Sequence, residues 1–416
     1  MAARYVPRTL EKVLARAARQ FPAVVLTGPR QSGKTTLLRH VFGSRCGYVS
    51  LEPPDVRAAA TADPRGFLEL HPPPVILDEV QYAPDLLPYV KERVDARRGK
   101  AGQYFLTGSQ NLLLAARITE SLAGRAAMLR LLPFSWRELC RRPHAPLAWE
   151  TAARSAGRVR AGASRHRNEM AHGKLWRGLL RGLYPEIAAQ PRRDAALWHA
   201  SYVQTYLERD VRGLRQIGDL ALFQGFLRVL AARSGLFLHL ADVSRDLGVA
   251  LNTVKAWLSV LEATYQVIVL RPYFANIGKR LVKAPKVYFT DVGTLCYLVG
   301  LKEPQHAAAG PLGGAIFETA VLSEIVKTFL HRGEEPQVYF WRTSAGQEVD
   351  FVVETGGKLI PIEAKLSATP KPAMAAGVLA FQKDFGAKAS RGYVVHPGTV
   401  TLPLVPGVTA LPFAEL

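Results

Sequence analysis

Apolar residues first recur at helical spacing, at Leu10, Val13, Leu14 and Ala17, which predicts a helix lying against a core. Glu11 interrupts the surrounding arginines, so the segment reads as a packed helix and not as a targeting peptide. The run Ala23-Val24-Val25-Leu26 is a short buried strand. A Gly-rich turn follows, then the helix-like run Thr36-Leu37-Leu38-Arg39-His40-Val41-Phe42. Two more apolar runs, Pro74-Val75-Ile76-Leu77 and Gln103-Tyr104-Phe105-Leu106, recur beyond polar stretches. Buried strands alternating with helices predict an α/β unit with a parallel sheet, which binds ligands at the carboxyl ends of its strands.

The pattern then changes. From Arg141 to Met170 there are few large apolar anchors, and Arg141, Arg142, Arg154, Arg158, Arg160, Arg165 and Arg167 face only Glu150 and Glu169. This predicts a flexible basic linker over 141–172. Helical spacing resumes near Leu175 and continues to about Leu230; Tyr202, Tyr206 and Leu207 read as a core stripe, and Glu208, Arg209 and Asp210 as an ion-pair cluster. Leu240 to Val249 reads as a short helix closed by Gly248. A second helix begins at Asn252, a natural cap, with Val254, Leu258 and Leu261 inward and Asn252, Thr253, Lys255 and Ser259 outward. Apolar strands at Tyr265–Leu270 and Lys286–Thr290 would supply a wing. Such a winged helix-turn-helix either touches DNA or mediates protein contacts.

The turn after the first strand carries the chemistry. Gly28-Pro29-Arg30-Gln31-Ser32-Gly33-Lys34-Thr35 fits G-x-x-x-x-G-K-[ST] between a strand and a helix. Loop N–H groups and the helix N-terminus face an anion there; Lys34 reaches the β- and γ-phosphates, and Thr35 ligates Mg²⁺, with Thr36 next to it. Asp78 and Glu79 end the second apolar run, suited to hold Mg²⁺ and to polarise the attacking water. Ser109, closing the strand expected between these two, is a candidate γ-phosphate sensor or simply a turn residue. Arg125, in Ser121-Leu122-Ala123-Gly124-Arg125, is either a finger toward a neighbour's nucleotide in a homo-oligomer or a surface arginine.

With Leu77-Asp78-Glu79-Val80-Gln81, Leu106-Thr107-Gly108-Ser109-Gln110 and Tyr202 to Val211, these motifs resemble the AAA-type P-loop ATPases of bacteria and archaea that carry a C-terminal domain of unknown function. The likeness covers nearly the whole chain and implies an ATPase with ATP and Mg²⁺ as cofactors.

Near the end of the chain the period becomes two. Glu348 to Glu354 and Leu359 to Lys365 flank Gly356-Gly357, a two-residue hairpin turn. That turn sets Asp350 opposite Glu363 with Lys365 on the same face, and collects Val349, Phe351, Val353, Ile360, Ile362 and Ala364 on the other. Two carboxylates beside an ammonium suit a second Mg²⁺ or Mn²⁺ acting on a phosphodiester, with Glu318 a further ligand. The bland alternative is a surface hairpin with ion pairs such as Glu348 to Lys365. The set Glu318, Asp350, Glu363-x-Lys365 resembles the PD-(D/E)xK nuclease fold, although Val349 stands where that pattern has proline. The expected division is a P-loop domain over 1–140, the linker over 141–172, a helical connector over 173–230, the winged helix over 231–303 and the nuclease-like domain over 304–416.

A formal charge of +20 and a pI near 10.0 point to a polyanionic partner, DNA in the sharper reading. Cys46, Cys140 and Cys296 lie far apart, excluding a disulfide framework or zinc knuckle and fitting a cytoplasmic protein. No apolar run approaches the ~18 residues of a membrane span.

Overall fold

The computed structural model describes residues 5–97, 99–109, 121–154, 162–163, 172–206, 219–273 and 284–416. Five strands, β1 (Ala23–Gly28), β2 (Gly47–Ser50), β3 (Val75–Asp78), β4 (Tyr104–Ser109) and β5 (Ala126–Arg130), form a parallel sheet in the order β2-β3-β4-β1-β5. All six residues of β1 are buried, which is why it reads as a continuous apolar run. Helices α1 (Glu11–Gln20) and α2 (Lys34–Phe42) cover one face. There Leu10, Leu14, Leu37 and Leu38 pack on Leu26, Ile76 and Phe105. Val25, Leu77 and Leu106 look the other way, into a second cluster with Val90. β4 lies between β1 and β3, so the strand ends carrying Gly28 and Asp78 flank it.

The expected linker begins as packed structure. Residues Ala148–Arg154 are helical, Trp149 is 7% exposed, and its ring lies 6.2 Å from that of Tyr393. Arg142 donates to Ala414 O at 3.2 Å. The two-residue strand β6 (Gly162–Ala163) pairs with the C-terminal sheet. Few apolar residues suffice here because each meets a distant partner. Tyr202 and Tyr206 are buried, as the stripe predicts; Leu207 to Val211, with Glu208, Arg209 and Asp210, lie outside the described residues.

Helix Leu240–Leu247 ends at Gly248 (φ 66°), where a left-handed residue is needed. The next helix spans Leu251–Ala263, and its N-cap is Ala250, not Asn252. The extended backbone of Ala250 sets the start without a side-chain bond, leaving Asn252 inside the first turn. Strands β7 (Val267–Leu270) and β8 (Lys286–Phe289) pair antiparallel. Tyr273 N donates to Phe340 O (2.6 Å) and Phe340 N to Arg271 O (3.1 Å), so the expected wing ribbon is joined to the C-terminal sheet.

That sheet adds β9 (Val338–Arg342), β10 (Glu348–Thr355), β11 (Lys358–Ala364), β12 (Gly392–His396), β13 (Val400–Val405) and β14 (Val408–Pro412), in the order β6-β13-β14-β12-β11-β10-β9. The hairpin has its expected register: Phe351 faces Ile362, Val353 faces Ile360, and Gly356 and Gly357 have φ of 55° and 71°. A bulge between Val349 and Val352 against β9 shifts one residue. Val349 therefore joins Val352, Leu359, Trp341 and Phe381, not the Phe351 face. Helix Gly313–His331 packs on the Phe351 side and helix Ala376–Phe385 on the other. One apolar cluster runs from Leu132 to Leu416 across residues 140, 230 and 303. Among the described residues no helix is long and apolar enough to cross a membrane.

Candidate functional site

The phosphate-type loop is built at the carboxyl end of β1. Gly28 has φ 150°, and a Cβ there would lie 2.1 Å from Leu131 O, so the position accepts only glycine. Gln31 (φ 59°) and Gly33 (φ 93°) complete the turn, and Gly33 caps α2. Buried Lys34 donates from Nζ to Gly28 O (3.1 Å) and Pro29 O (2.9 Å). Thr35 Oγ1 donates to Asp78 at 2.9 and 3.1 Å, pairing a hydroxyl with a carboxylate as a hard divalent cation requires. Arg30 Nη2 reaches Tyr82 Oη at 3.4 Å.

Asp78 ends β3, and Glu79 follows in a left-handed conformation (φ 59°). Thr107 of β4 ties the two acids together. Its Oγ1 donates to Asp78 Oδ1 and accepts from Glu79 N at 3.1 Å. Tyr48 Oη donates to Asp78 Oδ2 at 2.9 Å, and Gln81 Nε2 donates to Glu79 Oε2. Thr107, within β4, makes this contact with the acids; the sensor candidate Ser109 ends β4 opposite Gly28, and its side chain lies outside the described residues. The cavity over the loop measures about 430 Å³. Gln31, Gly33, Lys34, Thr35, Thr36 and Glu79 line it, joined by Tyr5, Phe134, Pro185 and Glu186, which no motif marked. Arg125 is not brought to this site. It precedes β5 at the amino end of the strands, where Ala23 faces Ala126, and its guanidinium donates to Asp95 at 2.7 and 3.0 Å.

The C-terminal acids also meet. Asp350 N lies 3.4 Å from Glu363 Oε2, and Asp350 Oδ2 accepts from Ala364 N at 2.9 Å. Lys365 Nζ donates to Glu363 Oε1 at 2.5 Å. Glu318 approaches from helix Gly313–His331 and accepts from Tyr288 Oη at 2.5 Å. Lys286, on β8, was not anticipated: its Nζ lies 2.6 Å from Glu348 Oε1 and 3.4 Å from Glu318 Oε1. Burial, then the charge of Asp350, pushes Glu318 up to about 7 and Glu363 up to about 8. Burial raises Asp350 as well, although Lys365 and Lys286 oppose it. Burial would lower Lys286, but Glu318 and Asp350 reverse that and hold its ammonium charged. The expected Mg²⁺/Mn²⁺ set of Glu318, Asp350 and Glu363 does not take form. Among the described residues no three His, Cys, Asp or Glu side chains are grouped to hold a metal, and one oxygen each of Glu318, Asp350 and Glu363 accepts from a protein donor.

Residues 20–140 match the family described as AAA domain, residues 172–305 a domain of unknown function (DUF8612), and residues 313–416 another (DUF4143). The sequence is 32% identical over 407 residues to the uncharacterized protein Rv2008c of Mycobacterium tuberculosis (strain ATCC 25618 / H37Rv). The match spans 97% of this chain and 82% of the relative, and the uncharacterized protein Mb2031c of Mycobacterium bovis matches equally. The chain belongs to the family of these two proteins. Its N-terminal part is an AAA-type P-loop domain with the loop and acids described above. Among solved structures, the Walker-type ATPase paby2304 of Pyrococcus abyssi is 16% identical, with 72% of this chain and 99% of that chain covered and a TM-score of 0.42. RuvB of Thermotoga maritima is 18% identical, with 62% and 88% covered and a TM-score of 0.28.

Proposed function

We propose that this family member is a Mg²⁺-dependent ATPase whose turnover controls what its C-terminal half engages. The convergence of Lys34, Thr35, Asp78 and Glu79 past the carboxyl ends of β1 and β3, on either side of β4, carries the reading. The loop amides and Lys34 bind and orient the triphosphate. Thr35 and Asp78 are the residues that would hold Mg²⁺, which neutralises phosphate charge when bound. Glu79 accepts the proton of the attacking water, and Thr107 fixes its backbone. In a hydrolysis assay Glu79→Gln should retain nucleotide binding and lose at least about a hundredfold in rate. Equal rates in the two proteins would remove Glu79 from the mechanism.

For the C-terminal half we propose a winged-helix and nuclease-like pair that binds DNA without cutting it. Support comes from Lys286, whose ammonium pairs with Glu318 and Glu348 beside the expected metal position. Exposed Asn252, Lys255 and Ser259 and the +20 charge favour DNA as the polymer engaged. The competing reading is metal-dependent cleavage. DNA cut by wild type with Mn²⁺ and spared by Asp350→Ala would establish it and end the binding-only reading.

A further inference from the structure

The phosphate loop is braced by a residue outside every motif, Arg8, which also lines the cavity over the loop. Arg8 is 3% exposed. Its Nη1 donates to Ser32 O within the loop (3.0 Å), and its Nη2 donates to Leu132 O just past β5 (2.7 Å). The guanidinium lies 4.6 Å from the centre of the Phe134 ring, and Nε faces Glu138 Oε2 at 3.2 Å. Glu138 is fully buried and also accepts from Thr9 N (2.8 Å) and Ser135 N (3.0 Å). Burial alone would raise its pKa, but Arg8 and then His331 outweigh that, so it stays ionised.

His331 closes this ring from the other half of the molecule. It is the last residue of helix Gly313–His331 and has no exposed surface. Its Nε2 accepts from Leu132 N at 3.1 Å, which leaves the ring proton on Nδ1, 3.2 Å from Glu138 Oε1. Ser32, Arg8, Glu138, His331 and Leu132 therefore form one buried chain of polar contacts. In such a chain each member fixes the next, and losing one leaves a buried group unpaired.

We propose that Arg8, locked by Glu138 and His331, is a positioning residue that holds the Ser32 carbonyl down so that the loop amides face the phosphates, and that the C-terminal half thereby tunes nucleotide affinity through His331. The proposal rests on the reading of this loop as the ATP site. Geometry around Gly33 agrees: Arg8 Nη1 lies 3.7 Å from where a Cβ at that left-handed residue would be, against the turn and on the wall of the cavity. The helix that ends at His331 carries Glu318 about 20 Å away along its axis, at 1.5 Å per residue. Whatever the tail binds at that end acts on the same rod, and linkage makes the effect reciprocal.

The test uses the full chain. Titration calorimetry with ATP and Mg²⁺ compares wild type with His331→Leu, which removes the Leu132 bond and the Glu138 contact, and His331→Gln, which keeps a donor and an acceptor. Thr328→Val, buried one turn earlier and outside the ring, is the control for a merely structural effect. His331→Leu should bind about tenfold more weakly, while His331→Gln and Thr328→Val stay within about threefold. Amide exchange of residues 30–36 without nucleotide is the second readout, and His331→Leu should accelerate it where Thr328→Val does not. Unchanged affinity or unchanged loop exchange in His331→Leu overturns the proposal. Should that variant fail to fold, Arg8→Lys keeps the charge and loses the fork. It should weaken binding and loosen the loop, and wild-type behaviour there overturns the proposal equally. A wild type that binds no ATP sinks the ATP reading, while the exchange data still decide the role of Arg8 and His331.

Discussion

Replacing Lys286 with methionine should make stability depend steeply on pH. Lys286 is 5% exposed, with Nζ 2.6 Å from Glu348 Oε1 and 3.4 Å from Glu318 Oε1. Methionine keeps an apolar stem near the Phe237 and Phe340 rings and deletes only the charge. Breaking a buried pair by removing one partner costs about 3–5 kcal/mol when the remaining charge must stay. Glu318 need not stay charged. It already titrates near 7 instead of 4.5, from burial and then Asp350, with Lys286 pulling it down. A carboxyl raised in the folded state costs nothing below its unfolded value and progressively more as pH climbs through the folded one. In wild type the rise from 4.5 to about 7 amounts to about 3 kcal/mol, lost between pH 4.5 and 7. Without Lys286 that window extends upward. The deficit of Lys286→Met, measured by urea unfolding, should be about 1 kcal/mol at pH 5 and roughly 3–5 kcal/mol at pH 9. Adding Glu318→Gln should remove most of the pH dependence. A deficit equal at both pH values, or smaller at pH 9, would refute Lys286 as the cation of this cluster.

Three further outcomes are expected. Gly28→Ala places a Cβ 2.1 Å from Leu131 O, so the loop or β5 must shift; fluorescent-nucleotide titration should show at least about a hundredfold loss of affinity. Thr107→Val keeps volume but removes the bonds to Asp78 and Glu79; hydrolysis should fall about tenfold or more with binding nearly unchanged, and an unaltered rate would clear Thr107 of any role. Trp149→Ala should cost about 3–5 kcal/mol in denaturant unfolding, and a loss under about 1 kcal/mol would return residues 148–154 to a loose linker.

What could be read in advance was whatever local spacing determines. The P-loop was legible because its chemistry depends on eight consecutive residues between a strand and a helix. The register of β10 against β11 was legible because two left-handed glycines fix the turn and alternation fixes the rest. The bulge at Val349 was not, since it arises against β9 and not within the hairpin. Arg8 carried no signal either, because its partner Leu132 lies 124 positions away. The stretch after Arg141 offered few apolar anchors, yet Trp149 within it is buried, its ring 6.2 Å from that of the distant Tyr393. Lys286 was read as part of a wing, and only the docking of the ribbon onto β9 turns its ammonium toward Glu318 and Glu348.

The apolar cluster shared between Leu132 and Leu416 limits how this molecule can be taken apart. A fragment ending at residue 140 would strip Trp136 of the Phe413 ring against it, and one beginning at 304 would take Trp149 away from Tyr393. The tail is not a swappable cartridge behind a motor. Over evolutionary time the two must drift in concert, each substitution on one side of the seam constraining what the other side tolerates.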